Sequence, residues 1–337
     1  MSASPLKIGF LGCGGFARRY HVPALIGSDA ARIAAIHDAH PGDALRALVA
    51  QTGAKLVTTI PELLAPGICD AFIVSTPHAL HAAHAQQVLD AGRHILVDKP
   101  FVMRGAEATA LAKHARAKGV VAGVAFNRRH DRGCLRAREL IATGALGAVR
   151  YIETVQLGYE KSGWFLDPAL GGGGPYTGRA THMADLIPWL TGKWPSAVLS
   201  RVRPGPRGRS DRGGFIDLAF TDFECRMTCI EEGWHSWDEV RIFGDDGLVE
   251  LRRPLHFPIG WQMVCQRERG RVIEEIAADD APGGCTRDFV AAIAQKRAPL
   301  CSFDDAWISA RIVEAAFESA GSGSWIAIQP SPPAAGR

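Results

Sequence analysis

Residues 6–17 read LKIGFLGCGGFA, and this stretch decides the fold of the first half of the chain. The apolar run at 8–11 predicts a short strand, and a helix-compatible segment follows the glycines. Gly12, Gly14 and Ala17 form a G-x-G-x-x-A pattern. In a strand–turn–helix context this pattern is typical of a dinucleotide site, because the glycines allow a tight turn and close approach of the backbone to a pyrophosphate. The alternative is a tight turn that binds no ligand.

Length and charge narrow the class of protein. A chain of 337 residues is long for one hydrophobic core, so two domains are expected. Hydrophobic residues make up 47% of the chain, and the mean hydropathy of +0.01 is typical of a globular protein. Because 38 basic residues nearly balance 35 acidic ones, the sequence indicates no nucleic-acid partner.

The eight cysteines are scattered without a C-x-x-C motif, so we expect free thiols in a reducing compartment and no metal site. Residues 1–5 lack the charged and apolar pattern of a signal peptide, and no apolar run approaches the length of a membrane span. These observations predict a cytoplasmic protein with no membrane partner.

Predicted helices and strands alternate over residues 1–125, the expected first domain. The predicted helices are a first one ending near His21, then Ala44–Ala50, Ile60–Leu64, Leu80–Ala91 and Ala106–Ala117. The predicted strands after the first are Arg32–Ile36, Ala71–Ser75, His94–Val97 and Val120–Val124. Such alternation predicts an α/β, Rossmann-type, doubly wound parallel sheet, whose ligands bind at the carboxyl ends of the strands.

Several chemically informative residues follow predicted strands. Asp38 lies 21 residues after Ala17, close to the position at which an acidic residue binds the adenosine ribose of NAD rather than NADP. The alternative is a carboxylate that caps the next helix. Thr76 and Lys99 also follow strands. By itself, a lysine before a proline is more often a solvated cation.

The second half is expected to be an α+β domain over residues 126–329, followed by a flexible tail at 330–337. Its predicted helices are Arg132–Thr143, Thr286–Gln295 and Asp304–Ser319. Its β-like runs are Val149–Leu157, Ala197–Val202, Phe215–Phe220, Glu224–Ile230, Glu239–Phe243 and Gln262–Ile276. Few helices separate these runs, which predicts a largely antiparallel open sheet.

Two glycine-rich stretches interrupt this half. Residues 203–214 (RPGPRGRSDRGG) favour a solvated hairpin loop, with a lid over an anionic substrate as the alternative. After the glycines at 171–174, a helix would place Tyr176, Arg179 and His182 on one face. Such a set of polar groups favours a functional site, although His182 alone could be a structural histidine.

Together these segments resemble the glucose–fructose oxidoreductase, inositol dehydrogenase and rhizopine-catabolism family (Gfo/Idh/MocA), over nearly the whole chain. The segments that carry the resemblance are Ser75–His78 with His81, Ala91–His94, Asp98–Pro100, Phe126–Arg129, Gly144–Gly147 and Gly171–Gly192. The resemblance implies that the exposed face of the second sheet forms a subunit interface, hence a homodimer or homotetramer. It also implies that Lys99 lies beside the nicotinamide and hydrogen-bonds the reacting oxygen.

The implied site residues fall into three groups. Those expected to bind the cofactor NAD are Gly12, Gly14, Gly15, Phe16, Ala17, Asp38, Ser75, Thr76, Pro77, His81 and Lys99. Those expected to bind substrate are Lys99, Asn127, Arg128, Arg179 and His182. Those expected to be catalytic are Lys99, His182 and Tyr176.

The chain departs from the family pattern at two positions. Asp98 stands where the family usually has glutamate, and Gly178 stands where it has a substrate-binding aspartate four residues before His182. Either Tyr176 or Arg179 substitutes for that aspartate, or the substrate is not a neutral polyol. Asp185 matches a later acidic residue of the family that we expect to be structural.

The resulting expectation is an NAD(P)-dependent oxidoreductase, with NAD favoured over NADP, that acts on a secondary alcohol or ketone of a sugar, cyclitol or sugar derivative. Lys99 would polarise the oxygen, and His182 would exchange the proton. Two alternatives remain on the same fold. One is a glycosidase that oxidises its substrate transiently with tightly held NAD, and the other is a non-catalytic nucleotide-sensing regulator.

Overall fold

The computed structural model describes residues 4–159, 162–206, 209–231, 233, 236–254, 260–267, 271–277 and 282–329, so the expected tail at 330–337 lies outside the described residues. The strands are β1 (Leu6–Leu11), β2 (Ala31–His37), β3 (Lys55–Val57), β4 (Ala71–Val74), β5 (His94–Val97), β6 (Ala122–Val124), β7 (Val149–Leu157), β8 (Ala197–Val202), β9 (Gly213–Ala219), β10 (Glu224–Ile230), β11 (Trp237–Gly244), β12 (Gly247–Pro254), β13 (Gln262–Arg267), β14 (Arg271–Ile276) and β15 (Ile326–Ala327). The α-helices are α1 (Gly15–Tyr20), α2 (Asp43–Thr52), α3 (Ile60–Leu64), α4 (His81–Asp90), α5 (Gly105–Lys118), α6 (Arg132–Ala142), α7 (Pro168–Gly171), α8 (Thr181–Thr191), α9 (Gly284–Gln295) and α10 (Phe303–Ser322).

The first sheet has six described strands in the order β3-β2-β1-β4-β5-β6, and all its neighbours are parallel. The chain builds outward from β1 to β3 and then returns to add β4 on the other side of β1. This confirms the doubly wound parallel sheet. In β4 (AFIV) every residue is buried, because helices cover both faces of a parallel sheet. The carboxyl ends of β1 and β4 flank the point at which the strand order reverses, where such sheets bind ligands.

The chain divides into two compact units. The first consists of the described residues of Met1–Val102, Ala106–Asn127 and Pro282–Ala306, and the second of Met103–Gly105 and the described residues of Arg128–Ala281 and Trp307–Arg337. The sequence-based division at 125/126 differs by assigning 282–306 to the second domain. Phe289 and Cys285 of α9 are buried in one apolar cluster with Ile8 and Phe10 of β1, so this returning segment belongs to the core of the first unit.

The second sheet has nine described strands in the order β14-β13-β12-β11-β7-β10-β9-β8-β15. It is antiparallel except for the parallel pair β7 and β10, so the largely antiparallel sheet is confirmed. The expected single run over Gln262–Ile276 is instead an antiparallel pair, in which Met263 lies opposite Ile276. Strand β12, which the sequence analysis missed, pairs with β11 and β13.

The two faces of the second sheet differ. Alternate side chains such as Ile152, Val240 and Ile242 are buried in the apolar core of this unit together with residues of α6, α8 and α10. The other face carries Tyr151, Val155, Thr228 and Phe243, which are only partly buried, and we call it the open face.

Two further features bear on the expectations from composition. All eight cysteines are buried and none forms a disulfide, and burial raises the pKa of the Cys13 thiol to about 12. Within the described chain we find no helix that combines the length and the apolar character needed to cross a membrane.

Candidate active site

The turn after β1 requires glycine at its first position. Gly12 has φ +76°, its N–H donates to the His37 carbonyl at 2.7 Å, and a Cβ there would lie 2.6 Å from the Ser75 carbonyl oxygen. By contrast, a Cβ on Gly14 or Gly15 would meet no described atom within 4 Å. Backbone N–H groups at the start of α1 therefore border open space, which is what a pyrophosphate requires.

Two residues of α1, Ala17 and Phe16, pack behind the glycine turn. Ala17 is fully buried, so a small side chain is needed where α1 packs on the sheet. Phe16 is half-buried and stacks on Tyr20 with ring centroids 5.3 Å apart. The structure thus places Ala17 as a packing residue.

Asp38 lies beside the glycine turn. Its Oδ2 accepts a hydrogen bond from the Cys13 N–H at 2.9 Å, and its Oδ1 accepts one from the His40 N–H at 2.9 Å. The alternative of a cap for the next helix is wrong, because the N-cap of α2 is Gly42 and that helix has no side-chain cap. The carboxylate is held at the carboxyl edge of the sheet, where a ribose hydroxyl would be bound.

His81, expected to contact the cofactor, is instead a structural clamp. Its ring is only 1% exposed, and its two nitrogens lie 2.7 Å from the Pro100 carbonyl oxygen and 2.9 Å from the Thr76 carbonyl oxygen. Burial lowers the pKa of His81 and outweighs the carbonyl groups, which favour the charged ring. We therefore correct the expectation: the His81 ring is buried between the loops after β4 and β5, and its neutral form donates one hydrogen bond to a backbone carbonyl there.

A buried chain of hydrogen bonds that the sequence analysis missed anchors the residue before Lys99. The His21 ring joins Thr286 Oγ1, at 2.7 Å, to Asp98 Oδ1, at 2.8 Å, and Ser75 Oγ donates to the other Asp98 oxygen. Burial opposes ionisation of Asp98, but His21 and Ser75 hold the pKa of its carboxyl below the usual range. His21 had seemed only the end of a helix, because its partners are 77 and 265 residues away in sequence.

Lys99 is half-buried at the carboxyl end of β5 and precedes a cis peptide bond to Pro100. Pro77, after β4, is the N-cap of a 3₁₀ turn at His78–Leu80. Asn127, after β6, has a buried Oδ1 that accepts no hydrogen bond from the described residues. An unsatisfied buried acceptor of this kind is suited to a ligand N–H or O–H group. The glycine turn and Asp38 together fit a dinucleotide, while Asn127 stays a predicted substrate-binding residue.

In the second unit, the segment after the glycines at 171–174 forms a π-helical turn, Tyr176–Ala180, that leads directly into α8. Such turns are uncommon and frequently occur at functional sites. His182 is half-buried in the first turn of α8. Gly178 lies within the π-helical turn, and its N–H donates to the Gly174 carbonyl at 2.9 Å.

Tyr176 cannot act as a catalytic residue or replace the missing aspartate. The side chain is fully buried, and its hydroxyl lies 2.8 Å from the Arg201 carbonyl oxygen, 2.7 Å from that of Phe215 and 3.0 Å from Ser200 Oγ. Burial raises the pKa of Tyr176. The expectation is therefore wrong: this phenol holds the helix to the sheet.

The arginines of the expected substrate site are engaged by carboxylates of the same unit. Arg128 Nη2 donates to Asp238 Oδ2 at 2.9 Å, and Arg179 reaches both Glu231, at 3.2 Å, and Asp238, at 3.3 Å. Arg129 makes a buried two-pronged pair with Asp185, at 3.0 and 2.6 Å, so Asp185 has the expected structural role.

The arginine-rich segment 203–214 joins β8 to β9, which pair as an antiparallel hairpin; whether it is a solvated loop or a lid over a substrate stays a prediction. Residues 207 and 208 lie outside the described residues. Asp211 ties this segment to the glycine-rich stretch, since its Oδ2 accepts from the Gly174 N–H at 2.6 Å and its Oδ1 from Gly213 N–H at 2.9 Å. Within the described part of the chain, no three His, Cys, Asp or Glu side chains are placed to hold a metal ion.

Both halves of the chain match family models. Residues 6–126 match the oxidoreductase family with an NAD-binding Rossmann fold (GFO_IDH_MocA), and residues 134–250 match the GFO/IDH/MocA C-terminal domain.

Two curated relatives and one solved structure illustrate the similarity. The uncharacterized oxidoreductase YdgJ of Escherichia coli K12 is 30% identical over 206 residues, covering 59% of this chain and 58% of the relative. The D-glucoside 3-dehydrogenase of the same organism is 27% identical over 197 residues, covering 57% and 56%. The alignments thus span little more than half the length of these relatives. GenD2 from gentamicin A biosynthesis, crystallised with NAD, is 25% identical with a TM-score of 0.82 over 97% of each chain.

Proposed function

The chain belongs to the Gfo/Idh/MocA oxidoreductase family, and on that premise we propose that it is an NAD-dependent dehydrogenase or reductase. It would interconvert a secondary alcohol and a ketone on a sugar, a cyclitol or a sugar derivative. Bound nicotinamide would supply the hydride acceptor or donor. A cytoplasmic location accords with eight cysteines that form no disulfide.

One observation carries the proposal. Gly12, Asp38, Thr76 and Lys99 follow the carboxyl ends of β1, β2, β4 and β5, which are adjacent strands of one parallel sheet. Four independent sequence features thus converge on the edge where such sheets bind ligands. A structural reason could explain each feature alone, but not their common position.

Different residues of the chain would bind the cofactor, bind the substrate and transfer the proton. The N–H groups after Gly12 would bind the pyrophosphate, Asp38 the adenosine ribose, and the Asn127 amide a polar group of the bound molecules. The Lys99 ammonium would hydrogen-bond the reacting oxygen and stabilise its negative charge. His182 would accept the proton in oxidation and return it in reduction.

We also propose that the protein forms a homodimer or homotetramer through the open face. Tyr151 on this face is 36% exposed and packs against Phe243 with ring centroids 6.1 Å apart. Partly buried apolar groups across a sheet face are typical of a surface that another subunit covers.

The proposed activity is tested by a substrate panel. Sugars, cyclitols and keto-sugars would be incubated with the protein and NAD(H) or NADP(H), and absorbance of the reduced nicotinamide would be followed. We expect sustained, stoichiometric change with at least one substrate. Bond cleavage without accumulation of NADH would instead support the glycosidase alternative, and cofactor binding without turnover of any substrate would support the regulator.

A further inference from the structure

Three arginines surround one buried aspartate in the second unit. Asp238 of β11 is fully buried and accepts hydrogen bonds from Arg128 Nη2, at 2.9 Å, and Arg179 Nη1, at 3.3 Å. It also pairs with Arg253, the residue opposite it on β12. We call these three arginines and Asp238 the arginine cluster.

The charges of the arginine cluster do not balance among the described residues. Besides Asp238, the carboxylate paired with the cluster is Glu231, which is 3.2 Å from Arg179 and 8% exposed. Three guanidinium groups thus face two carboxylates. The side chain of Arg128 is 4% exposed, that of Arg179 12% and that of Arg253 21%, and unmatched charge is costly in such a largely buried setting. Burial lowers the pKa of Arg128 to about 10, and the charges of Arg253 and Arg179 act in the same direction.

The hydrogen-bond donors are also in excess. Arg128 Nη1 is directed at the thioether sulfur of Met183, at 3.3 Å, which is a weak acceptor. The Nε of Arg253 is buried and has no acceptor among the described residues. The ring of Trp261 flanks both side chains, with the guanidinium carbons of Arg128 and Arg253 5.0 and 5.9 Å from its centroid. Charge and hydrogen bonding therefore both call for an additional anionic acceptor.

We propose that the arginine cluster binds an anionic group of the substrate, so that the substrate is a sugar or cyclitol derivative bearing a carboxylate or a phosphate. This rests on the proposed function and narrows its substrate class. Arginine suits both groups, because its planar fork donates two parallel hydrogen bonds to their oxygens.

The test is a calorimetric titration of the NADH-saturated protein with D-glucuronate, D-glucose 6-phosphate and D-glucose. We expect at least one anion to bind about tenfold or more tightly than glucose, and added salt to weaken that binding. Which of the two binds distinguishes a carboxylate subsite from a phosphate subsite.

Two variants of adjacent residues assign the effect. Arg253→Gln should weaken anion binding by about tenfold or more. Arg252→Gln is the matched control and should leave it unchanged, because Arg252 points to the open face and pairs with Glu250. If Arg253→Gln fails to fold, Arg253→Lys keeps the charge without the fork and should give an intermediate affinity.

The proposal is overturned if glucose binds as tightly as both anions, if neither anion binds, or if Arg253→Gln and Arg253→Lys bind them like the wild type. These results are independent of the turnover assay. Oxidation of neutral sugars alone would keep the proposed function and exclude the anionic substrate. Arginine-dependent anion binding without any turnover would keep the anion-binding site and exclude the proposed activity.

Discussion

The position of Lys99 is fixed by buried hydrogen bonds to the residue before it. Asp98, directly before it, is held by His21 and Ser75, so the end of β5 cannot drift. We expect Lys99→Met, which keeps the bulk and removes the ammonium, to lower turnover by about 10²–10⁴-fold while NAD affinity stays within a small factor. Stopped-flow or steady-state assays with a substrate from the panel measure the first quantity, and calorimetry the second. Near-normal turnover would instead support the alternative that Lys99 is a solvated cation without a catalytic role.

Asp38 sets the expected choice between the two nicotinamide cofactors. A 2′-phosphate beside its carboxylate would be a like-charge contact, worth about 4 kcal/mol at 4 Å with an effective dielectric of 20 and less after screening by salt. We expect the wild-type protein to bind NAD at least about tenfold more tightly than NADP, a difference of about 1.4 kcal/mol. Asp38→Ser should reduce this difference between the affinities for NAD and NADP.

Calorimetric dissociation constants for both cofactors decide this point. Equal affinities in the wild type, or tighter binding of NADP, would remove Asp38 from the ribose site and leave it the structural role of accepting the Cys13 and His40 N–H groups.

At the scale of elements, two glycines of one turn should respond differently to the same change. A Cβ on Gly12 would collide with the Ser75 carbonyl at 2.6 Å, in a backbone conformation with φ +76°, whereas a Cβ on Gly14 meets no described atom within 4 Å. Gly12→Ala should therefore lower the thermal midpoint and abolish NAD binding. Gly14→Ala should keep the midpoint within a few degrees and still weaken NAD, because the new methyl group occupies space meant for the phosphates.

Thermal unfolding by circular dichroism and NAD titration of the two variants provide the comparison. A destabilised Gly14→Ala protein, or one with unaltered NAD affinity, would contradict this account of the turn.

Helix α4 makes the first unit sensitive to acid. Burial lowers the pKa of His84 to about 4, and the nearby His81 and His37 add to the effect. The pKa of a histidine in the unfolded chain is about 6.5, so between about pH 4 and pH 6.5 the unfolded chain binds more protons than the folded one. Stability is therefore lost as the pH falls from about 6.5 toward about 4. For a fully buried ring, this shift would lower the free energy of unfolding by about 2 kcal/mol at pH 5. Because His84 is partly exposed, we expect a loss of about 1 kcal/mol.

Urea unfolding at pH 7.5 and pH 5.0, followed by circular dichroism, measures this loss. His84→Gln cannot titrate, so it should lose less stability over the same interval. An identical loss in wild type and variant would assign the acid sensitivity to other groups.

Local patterns predicted the elements, while distant contacts determined the roles of side chains within them. The strand and turn at 6–17 are encoded by adjacent residues, so they could be read directly. Helical spacing placed Tyr176 and Arg179 on one face, but it could not tell that the phenol reaches backbone carbonyls of β8 and β9. The pair of Asp238 and Arg253 depends on the register of β11 with β12, and β12 itself was missed.

For the whole molecule, the open face predicts the state of assembly. Val155 lies near the middle of this face, on β7 between β10 and β11. We expect the wild type to elute as a dimer or tetramer, and Val155→Lys, which places a charge in the proposed interface, to shift the equilibrium toward the 36.1 kDa monomer. Size-exclusion chromatography with light scattering measures both.

Ala142→Lys is the matched control, because it makes a similar change at an exposed position at the end of α6. Dissociation of the control as well, or a wild type that is already monomeric, would show that the open face is not the subunit interface.

The division into two units has a spectroscopic consequence. All eight tryptophans of the chain fall in the residue ranges of the second unit, whereas Tyr20 is the only tyrosine or tryptophan in those of the first. Indole fluorescence excited at long wavelength is therefore an intrinsic reporter of the second unit alone. A single tryptophan introduced at an exposed helix position of the first unit, such as Ala83, would give that unit a reporter of its own.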